Sequence, residues 1–279
     1  MKKYLDLIRV KHYVKNVLVF LPLVFVKRLF TMDFLVVFYG FLAFCFMASI
    51  VYIINDFQDL KADRAHEIKK HRPLAKGIIS KTKAILIILL LSLLVIIFGY
   101  LAVGFNLWSF SLLFIYLIIN IIYSYGAKNI ALLDILLLVI GFVLRVYYGA
   151  AIIGAPVSNW MYLTIMSASF FLALGKRRNE MKKAKTFFRN SLKVYTVDFL
   201  DRYMSITTGL AITFYSLWAI EVHKQYFVVT IPLVIMIFMR YTLIIEKNSH
   251  GDPTDVLFSD RFLQILIVIF GLAMIYFML

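Results

Sequence analysis

With one cysteine and five prolines in 279 residues, the chain has little means of covalent bracing and few obligatory breaks. The lone thiol, Cys45, excludes an internal disulfide and a thiolate metal centre, and reads as a small apolar side chain within a helix. The five histidines (His12, His66, His71, His223 and His250) form no cluster with carboxylates in the apolar runs, so nothing suggests a histidine general base there. Acids are scarce as well, 15 against 30 Lys and Arg, and charged residues of both signs make up only 16% of the chain. Hydrophobic residues fill the space: they make up 63% of the sequence, with a mean hydropathy of +0.89. That is more apolar surface than one soluble core could bury, and it falls in runs long enough to cross a bilayer. The expectation is an all-α polytopic membrane protein, one domain over residues 1–279, without internal repeat, low-complexity tract or linker. No small-residue cleavage pattern follows the basic start (Lys2, Lys3, Arg9, Lys11, Lys15), so that segment is read as mature sequence.

Nine spans are expected: 17–26, 34–54, 84–103, 107–123, 130–153, 161–174, 204–220, 227–245 and 262–279. The first is short for a bilayer unless its helix begins near Tyr13. Placing the N-terminus in the cytoplasm puts the connections 55–83, 124–129, 175–203 and 246–261 on that side, with 55–83 and 175–203 as cap loops. Those segments, the N-terminal arm and Arg240 carry 26 of the 30 Lys and Arg residues. Only Lys27, Arg28 and Lys224 lie opposite, and Arg145 lies within a span; this asymmetry fits a cytoplasmic N-terminus in a cell membrane. The formal charge of +15 is met by attraction of basic loops to anionic lipid, about 1 kcal/mol per residue near the surface. No soluble domain gathers the bases into a nucleic-acid recognition surface.

The most informative stretch ends the second apolar run: Asn55-Asp56-Phe57-Gln58-Asp59-Leu60-Lys61-Ala62-Asp63-Arg64. On a continuing helix Asp56, Asp59 and Asp63 fall at i, i+3 and i+7 with Asn55 beside them, so all four side chains share one face. Three like charges on one stripe repel unless a strong cation compensates. Hard carboxylate and amide oxygens suit Mg²⁺, which binds through a few carboxylates plus substrate phosphates. The alternative is a solvated helix end whose acids pair with Lys61, Arg64, Lys69 and Lys70. Pro73 and Gly77 then mark a break and a turn.

Polar residues at other span boundaries extend the candidate site. Tyr123-Ser124-Tyr125-Gly126-Ala127-Lys128 closes one span, and Asp134 lies one turn inside the next, where charge is costly and turns to the bundle interior. Arg145 shares its face but stands about 16 Å further along, too far to pair; it reads either as a structural cation or as part of a cavity. Lys176, Arg177 and Glu180 share a face of another helix, where they form either an anion clamp or a plain basic flank. In the last loop, Asp260 is placed to cap the final helix.

Asn55-Asp56-x-x-Asp59-x-x-x-Asp63 resembles the signature of the UbiA superfamily of intramembrane prenyltransferases, which implies a nine-transmembrane-helix bundle with an acidic cavity facing the cytoplasm. Asp63-Arg64-x-His66, Arg72-Pro73, Tyr123-Ser124-x-x-x-Lys128, Gly141-Phe142-x-x-Arg145, Gly175-Lys176-Arg177-x-x-Glu180 and Asp260-Arg261-x-x-Gln264 resemble the branch that moves phosphoribosyl groups onto polyprenyl phosphates. The resemblance runs over nearly the whole chain. It implies Mg²⁺ held by Asn55, Asp56, Asp59 and Asp63, with the three acids and Asp134 serving catalysis. It also implies substrate contacts from Asn55, Arg64, Arg72, Tyr123, Lys128, Arg145, Lys176, Arg177 and Glu180. The implied substrates are 5-phosphoribosyl 1-diphosphate and a polyprenyl phosphate, whose nucleophile is already an anion. Where aromatic prenyltransferases carry a second Asp-rich motif, this chain has the basic Gly175–Glu180 segment, so a second carboxylate-bound Mg²⁺ is not implied. After His66 the family often continues with proline and lysine; here the residues are Glu67-Ile68-Lys69-Lys70.

Two other functions compete: prenyl transfer from a prenyl diphosphate to an aromatic acceptor, and ion transport along the acids. A midplane holding only Arg145 and the lack of an inverted repeat argue against transport. The sequence fixes neither the prenyl chain length nor whether the chain works as a monomer or a homo-oligomer. The charge bias yields a direct test of topology, using single cysteines placed in a Cys45→Ala background. Impermeant thiol reagents added to intact cells should label position 224 and leave positions 69 and 183 unmodified; the reverse pattern inverts the orientation.

Overall fold

The computed structural model describes residues 2–65, 69–183, 190–221, 225–247 and 252–278, and among these every regular element is helical. The chain divides into two compact units, Met1–Lys128 with Leu144–Ala155, and Asn129–Val143 with Pro156–Leu279.

In the first unit, α1 (Lys2–Ile8) leads into a 3-10 helix, Val10–Phe20, and the short α2 (Leu21–Phe25). There follow α3 (Asp33–Gln58), α4 (Leu60–Ala65), α5 (Lys81–Val103) and α6 (Leu107–Ser124), with further 3-10 turns at Lys69–His71 and Ala127–Asn129. The central helix is α3, which packs against α5, α6, α1 and the long 3-10 segment. It buries Val37, Phe44, Ala48, Val51 and Ile53 on several faces, as an apolar helix surrounded by neighbours must. By contrast α5 leaves Leu86, Leu89, Leu90, Leu93 and Ile97 exposed, an apolar band suited to lipid. Local chemistry sets the starts of both neighbours: Ser80 accepts from the Lys83 amide and Asn106 from the Ser109 amide, satisfying donors a first turn leaves open.

The second unit holds α8 (Asn159–Lys183), α9 (Val197–Glu221), α10 (Ile231–Lys247), α11 (Pro253–Ser259) and α12 (Arg261–Met278). Helix α7 (Leu133–Ile152) is divided: its residues to Val143 belong to the second unit and those from Leu144 to the first. The second unit's core gathers Phe171, Leu174, Leu200, Met204, Tyr241, Ile245 and Leu263, with α8 lying along α9. A 100° bend separates α11 from α12. Asp260 sits at that break, accepts from the Leu263 amide at 2.7 Å, and receives the Arg240 guanidinium at 2.6 Å. It caps α12 as its position in the sequence suggests.

Six helices among the described residues are long and apolar enough to cross a membrane, and α11 with α12 makes a seventh if the bent pair counts as one span. The two remaining expected spans differ. Residues 17–26 continue a 3-10 helix into a five-residue α-helix, and 161–174 form the apolar part of α8, whose polar part opens with Lys176-Arg177-Arg178.

The long 3-10 segment is seated by close backbone approach. A Cβ built on Gly149 of α7 would lie 2.0 Å from the Val19 carbonyl oxygen, whereas one on Gly209 or Gly271 meets nothing within 4 Å. Gly149→Ala should therefore destabilise the protein by about 1–3 kcal/mol through overpacking. Gly271→Ala should be neutral or slightly stabilising, since alanine favours a helix. Thermal unfolding in detergent micelles compares the two directly.

Candidate active site

Helix α3 ends at Gln58, Asp59 caps it, and α4 resumes at Leu60, so the acids lie on two nearly continuous helices rather than one. Their side chains diverge. Asp56 Oδ1 and Asp63 Oδ2 converge on a single nitrogen, Arg72 Nη1, at 3.1 and 2.6 Å. Asp56 also receives the Arg9 guanidinium, while Asp59 takes the Lys128 ammonium. Asn55 donates to the second oxygen of Asp59 at 3.3 Å and accepts from Ser124 at 3.1 Å. Asp56 and Asp63 are almost wholly buried, 3% exposed at the side chain, and each is met there by a guanidinium.

Each cation is delivered by local structure. Arg72 opens a tight turn in which Ile78 donates to the Pro73 carbonyl and Gly77 adopts φ +75°, a conformation only glycine takes cheaply. Leu74, Ala75 and Ile79 bury beneath it, and Arg64 donates to the Ala75 carbonyl at 3.2 Å. Arg64, expected at the substrate, is thereby bonded to the turn that carries Arg72. Lys128 follows Gly126 in the 3-10 turn after α6. Arg9 joins α1 to the 3-10 segment in left-handed backbone (φ 52°, ψ 52°), unusual for a residue with a Cβ, and its guanidinium lies over the Tyr52 ring at 4.7 Å.

Among the described residues no three acid, histidine or cysteine side chains are drawn together as a metal cage. Mg²⁺ needs less, one or two carboxylates with substrate phosphates and water completing its octahedron. Asp56 and Asp63 already enclose one cationic nitrogen between them, so the donors fit in kind and in placement. Asp59, expected beside them, is turned to Lys128.

In the second unit Asp134 and Arg177 are wholly buried and paired at 2.6 Å, and Arg177 reaches Glu180 at 2.5 Å. Tyr195 donates to Asp134 at 2.6 Å and accepts from the Leu132 amide at 2.6 Å, bracing the turn (Leu132 φ 66°) that opens α7. Burial, and then the bond to Asp134, push the Tyr195 phenol up, so it remains a protonated donor. Neighbouring bases are engaged too: Arg178 forks onto Asp201, and Lys176 lies 3.5 Å from Asp252. Of the residues expected as an anion clamp, Lys176 thus faces Asp252, while Arg177 is held between Asp134 and Glu180. Only Lys176 keeps appreciable exposure, 25% at the side chain against 0% and 6% for Arg177 and Arg178. Arg145 is buried by Asn16 (2.8 Å), Tyr116 (3.1 Å) and the Phe44 ring (5.1 Å), which places it in internal packing. Tyr123 is half-buried beside Ser124, and His66 lies outside the described residues.

Sequence reasoning missed Arg9 and Tyr195. Arg9 sits forty-seven positions from Asp56, and nothing in local spacing links them. Tyr195 lies in a polar connection where a tyrosine carries no periodic signal.

The fold has close counterparts among solved structures. A UbiA homologue from Archaeoglobus fulgidus, solved with DMAPP and Mg²⁺, superposes with a TM-score of 0.73 at 22% identity, covering 98% of this chain and 99% of that one. The apo UbiA homologue from Aeropyrum pernix K1 gives 0.68 at 18% identity, over 97% and 99%. Those likenesses define the fold, an all-helical bundle. Residues 17–275 match the UbiA prenyltransferase family, and the chain belongs to it. Curated relatives named decaprenyl-phosphate phosphoribosyltransferase include one from Mycolicibacterium smegmatis, 31% identical over 81% of this chain and 75% of the relative. Another, from Corynebacterium glutamicum, is 30% identical over 93% and 81%.

Removing the phenolic oxygen in Tyr195→Phe should cost about 1.5–3 kcal/mol, the value of a hydrogen bond to a charged group. The same substitution in an Asp134→Asn background should cost less, because the acceptor charge is gone. Unfolding midpoints of the four proteins measure that coupling.

Proposed function

We propose that the protein transfers the 5-phosphoribosyl group from 5-phosphoribosyl 1-diphosphate to a polyprenyl phosphate, releasing diphosphate, with Mg²⁺ on Asp56 and Asp63. The observation that carries this reading is the likeness, over 93% of the chain, to relatives named for that reaction. Cations set among the acids support it. The multi-pass arrangement proposed with it has nine spans, a cytoplasmic N-terminus, and the acids facing the cytosol, where a soluble donor is available.

Mg²⁺ would supply charge neutralisation at the leaving diphosphate. The remaining work falls to the chain. Arg72 and Arg9 stand where guanidinium forks can take phosphate oxygens bidentately, and Lys128 adds a point charge beside them. Asn55, held between Ser124 and Asp59, fixes the direction of the Asp59 carboxylate. Partial burial of these groups strengthens each contact relative to water. The acceptor phosphate attacks as an anion, so no side chain has to remove a proton. Lys176, more exposed than Arg177, remains a phosphate contact in this reading, whereas Arg177 and Asp134 position the helix ends that carry it.

A second reading has a specific observation behind it: the Archaeoglobus neighbour was solved with DMAPP, so the chain would instead move a prenyl group to an aromatic acceptor. The two differ in charge at the donor, since the phosphoribosyl compound adds a 5-phosphate that needs its own cations. Purified protein given Mg²⁺, labelled phosphoribosyl diphosphate and a polyprenyl phosphate should form a labelled lipid and lose that activity to chelator. Lys128→Ala and Lys176→Ala should each lower kcat/KM for the phosphoribosyl donor by roughly ten- to 150-fold, corresponding to about 1.5–3 kcal/mol per charge-assisted contact. Consumption of a prenyl diphosphate with an aromatic acceptor, and none of the phosphoribosyl donor, would hand the function to the second reading.

A further inference from the structure

The three acids at the end of α3 and in α4 are each met by a cation. Asp56, Asp59 and Asp63 face Arg9, Arg72 and Lys128, acid for base, each acid in direct contact with at least one of the cations. Such a cluster has no surplus negative potential with which to draw in a bare divalent cation. The place between Asp56 and Asp63 where a metal would bind two carboxylates is the place now held by Arg72 Nη1. An ion entering alone would have to expel that guanidinium and displace Arg9 from Asp56. It would leave both positive groups beside a dication, in surroundings where their side chains are only 25% and 17% exposed. A diphosphate ester carries more negative charge than one divalent cation carries positive. If it arrives with the metal, its oxygens take up the displaced guanidiniums and the balance is restored.

We infer that this ion-pair network makes metal and diphosphate obligatory co-ligands: Arg9 and Arg72 exclude a free divalent cation from Asp56 and Asp63, and the site takes the cation only with a diphosphate. The inference rests on the metal-diphosphate reading given above and adds its binding order. Arg9 is suited to the part. Its left-handed backbone strains the junction that holds it on Asp56, and its guanidinium already lies over the Tyr52 ring, a contact it can keep when the carboxylate is released.

Equilibrium dialysis of the full chain in detergent, with radioactive Mn²⁺ and labelled inorganic pyrophosphate as probes, separates the cases without any turnover. The wild type should retain Mn²⁺ at least tenfold more tightly with pyrophosphate than without, and the two labels should be retained in equal amounts. Arg9→Gln and Arg72→Gln should each strengthen retention of Mn²⁺ alone by about tenfold, the scale of one charge-assisted contact, and weaken the dependence on pyrophosphate. Arg9→Lys, which keeps the charge, should behave as the wild type. Should Arg72→Gln fail to fold, Arg9→Gln carries the test alone, because Arg9 lies at a helix junction outside α3 and α4. Wild-type protein that binds Mn²⁺ equally well with and without pyrophosphate overturns the inference and leaves the metal-diphosphate reading standing; so do glutamine variants that gain nothing for Mn²⁺ alone. Retention of neither label under any condition overturns that reading and the inference with it.

Discussion

A carboxylate at the edge of an apolar helix bundle can stay ionised only if a cation reaches it, and that constraint organises both units. In the first, Asp56 and Asp63 are all but sealed from solvent, so the chain brings guanidiniums from two directions to meet them. In the second, Asp134 is sealed completely and Arg177 with it. Removing one partner from such a pair leaves a buried charge, typically 3–5 kcal/mol unfavourable, whereas the intact pair contributes little net stability. The pairs therefore act more on geometry than on stability: they decide where turns, helix ends and side-chain tips must lie.

This explains why irregular segments carry so much of the site. Arg72 reaches the acids because the turn after it closes on Gly77, and that turn is held by Arg64 from α4. Arg9 reaches Asp56 because the chain accepts a left-handed residue between α1 and an eleven-residue 3-10 helix. Runs of 3-10 helix that long are uncommon. Here the segment is tied down along its length: Tyr13 bonds Ser49, Asn16 bonds Arg145 and Cys45, and the Val19 carbonyl rests against Gly149. Arg145, a charge deep in an apolar region, thus anchors the very segment that positions Arg9.

The apolar helices were legible in the sequence because lipid contact demands long hydrophobic runs, and that demand is local. The acid motif was legible for a similar reason: Asp56, Asp59 and Asp63 are close in sequence and belong to a recognisable pattern. What could not be read was pairing. Helical spacing put three acids on one stripe, but their rotamers answer to cations supplied from residues 9, 72 and 128, and those distant partners split Asp59 from the other two. The same holds for Lys176 and Arg177. Spacing showed that Lys176 and Arg177 could clamp an anion, while the acids that occupy them, Asp252 and Asp134, come from elsewhere in the chain. Two of the nine expected spans stand apart from the other seven in length or apolarity: 17–26, where tertiary ties favour a 3-10 path, and 161–174, where a charged helical extension follows the apolar run.

Occupied cations are compatible with a role in binding anions, and the comparison of exposures separates those that can exchange from those that cannot. A guanidinium with no accessible surface, such as Arg177, would have to break two carboxylate contacts and open its own core before meeting a ligand. Arg9, Arg72 and Lys128 retain between 10% and 25% of their side-chain surface. An incoming phosphate can therefore form its first contact with each before the resident carboxylate is released. Exchange through such a shared intermediate avoids a bare buried charge at every stage, the most expensive state available to the site. By this argument the first unit's ion pairs are exchangeable contacts and the Asp134–Arg177 pair is a fixed one, although in the sequence both appear as the same juxtaposition of acid and base at a membrane boundary.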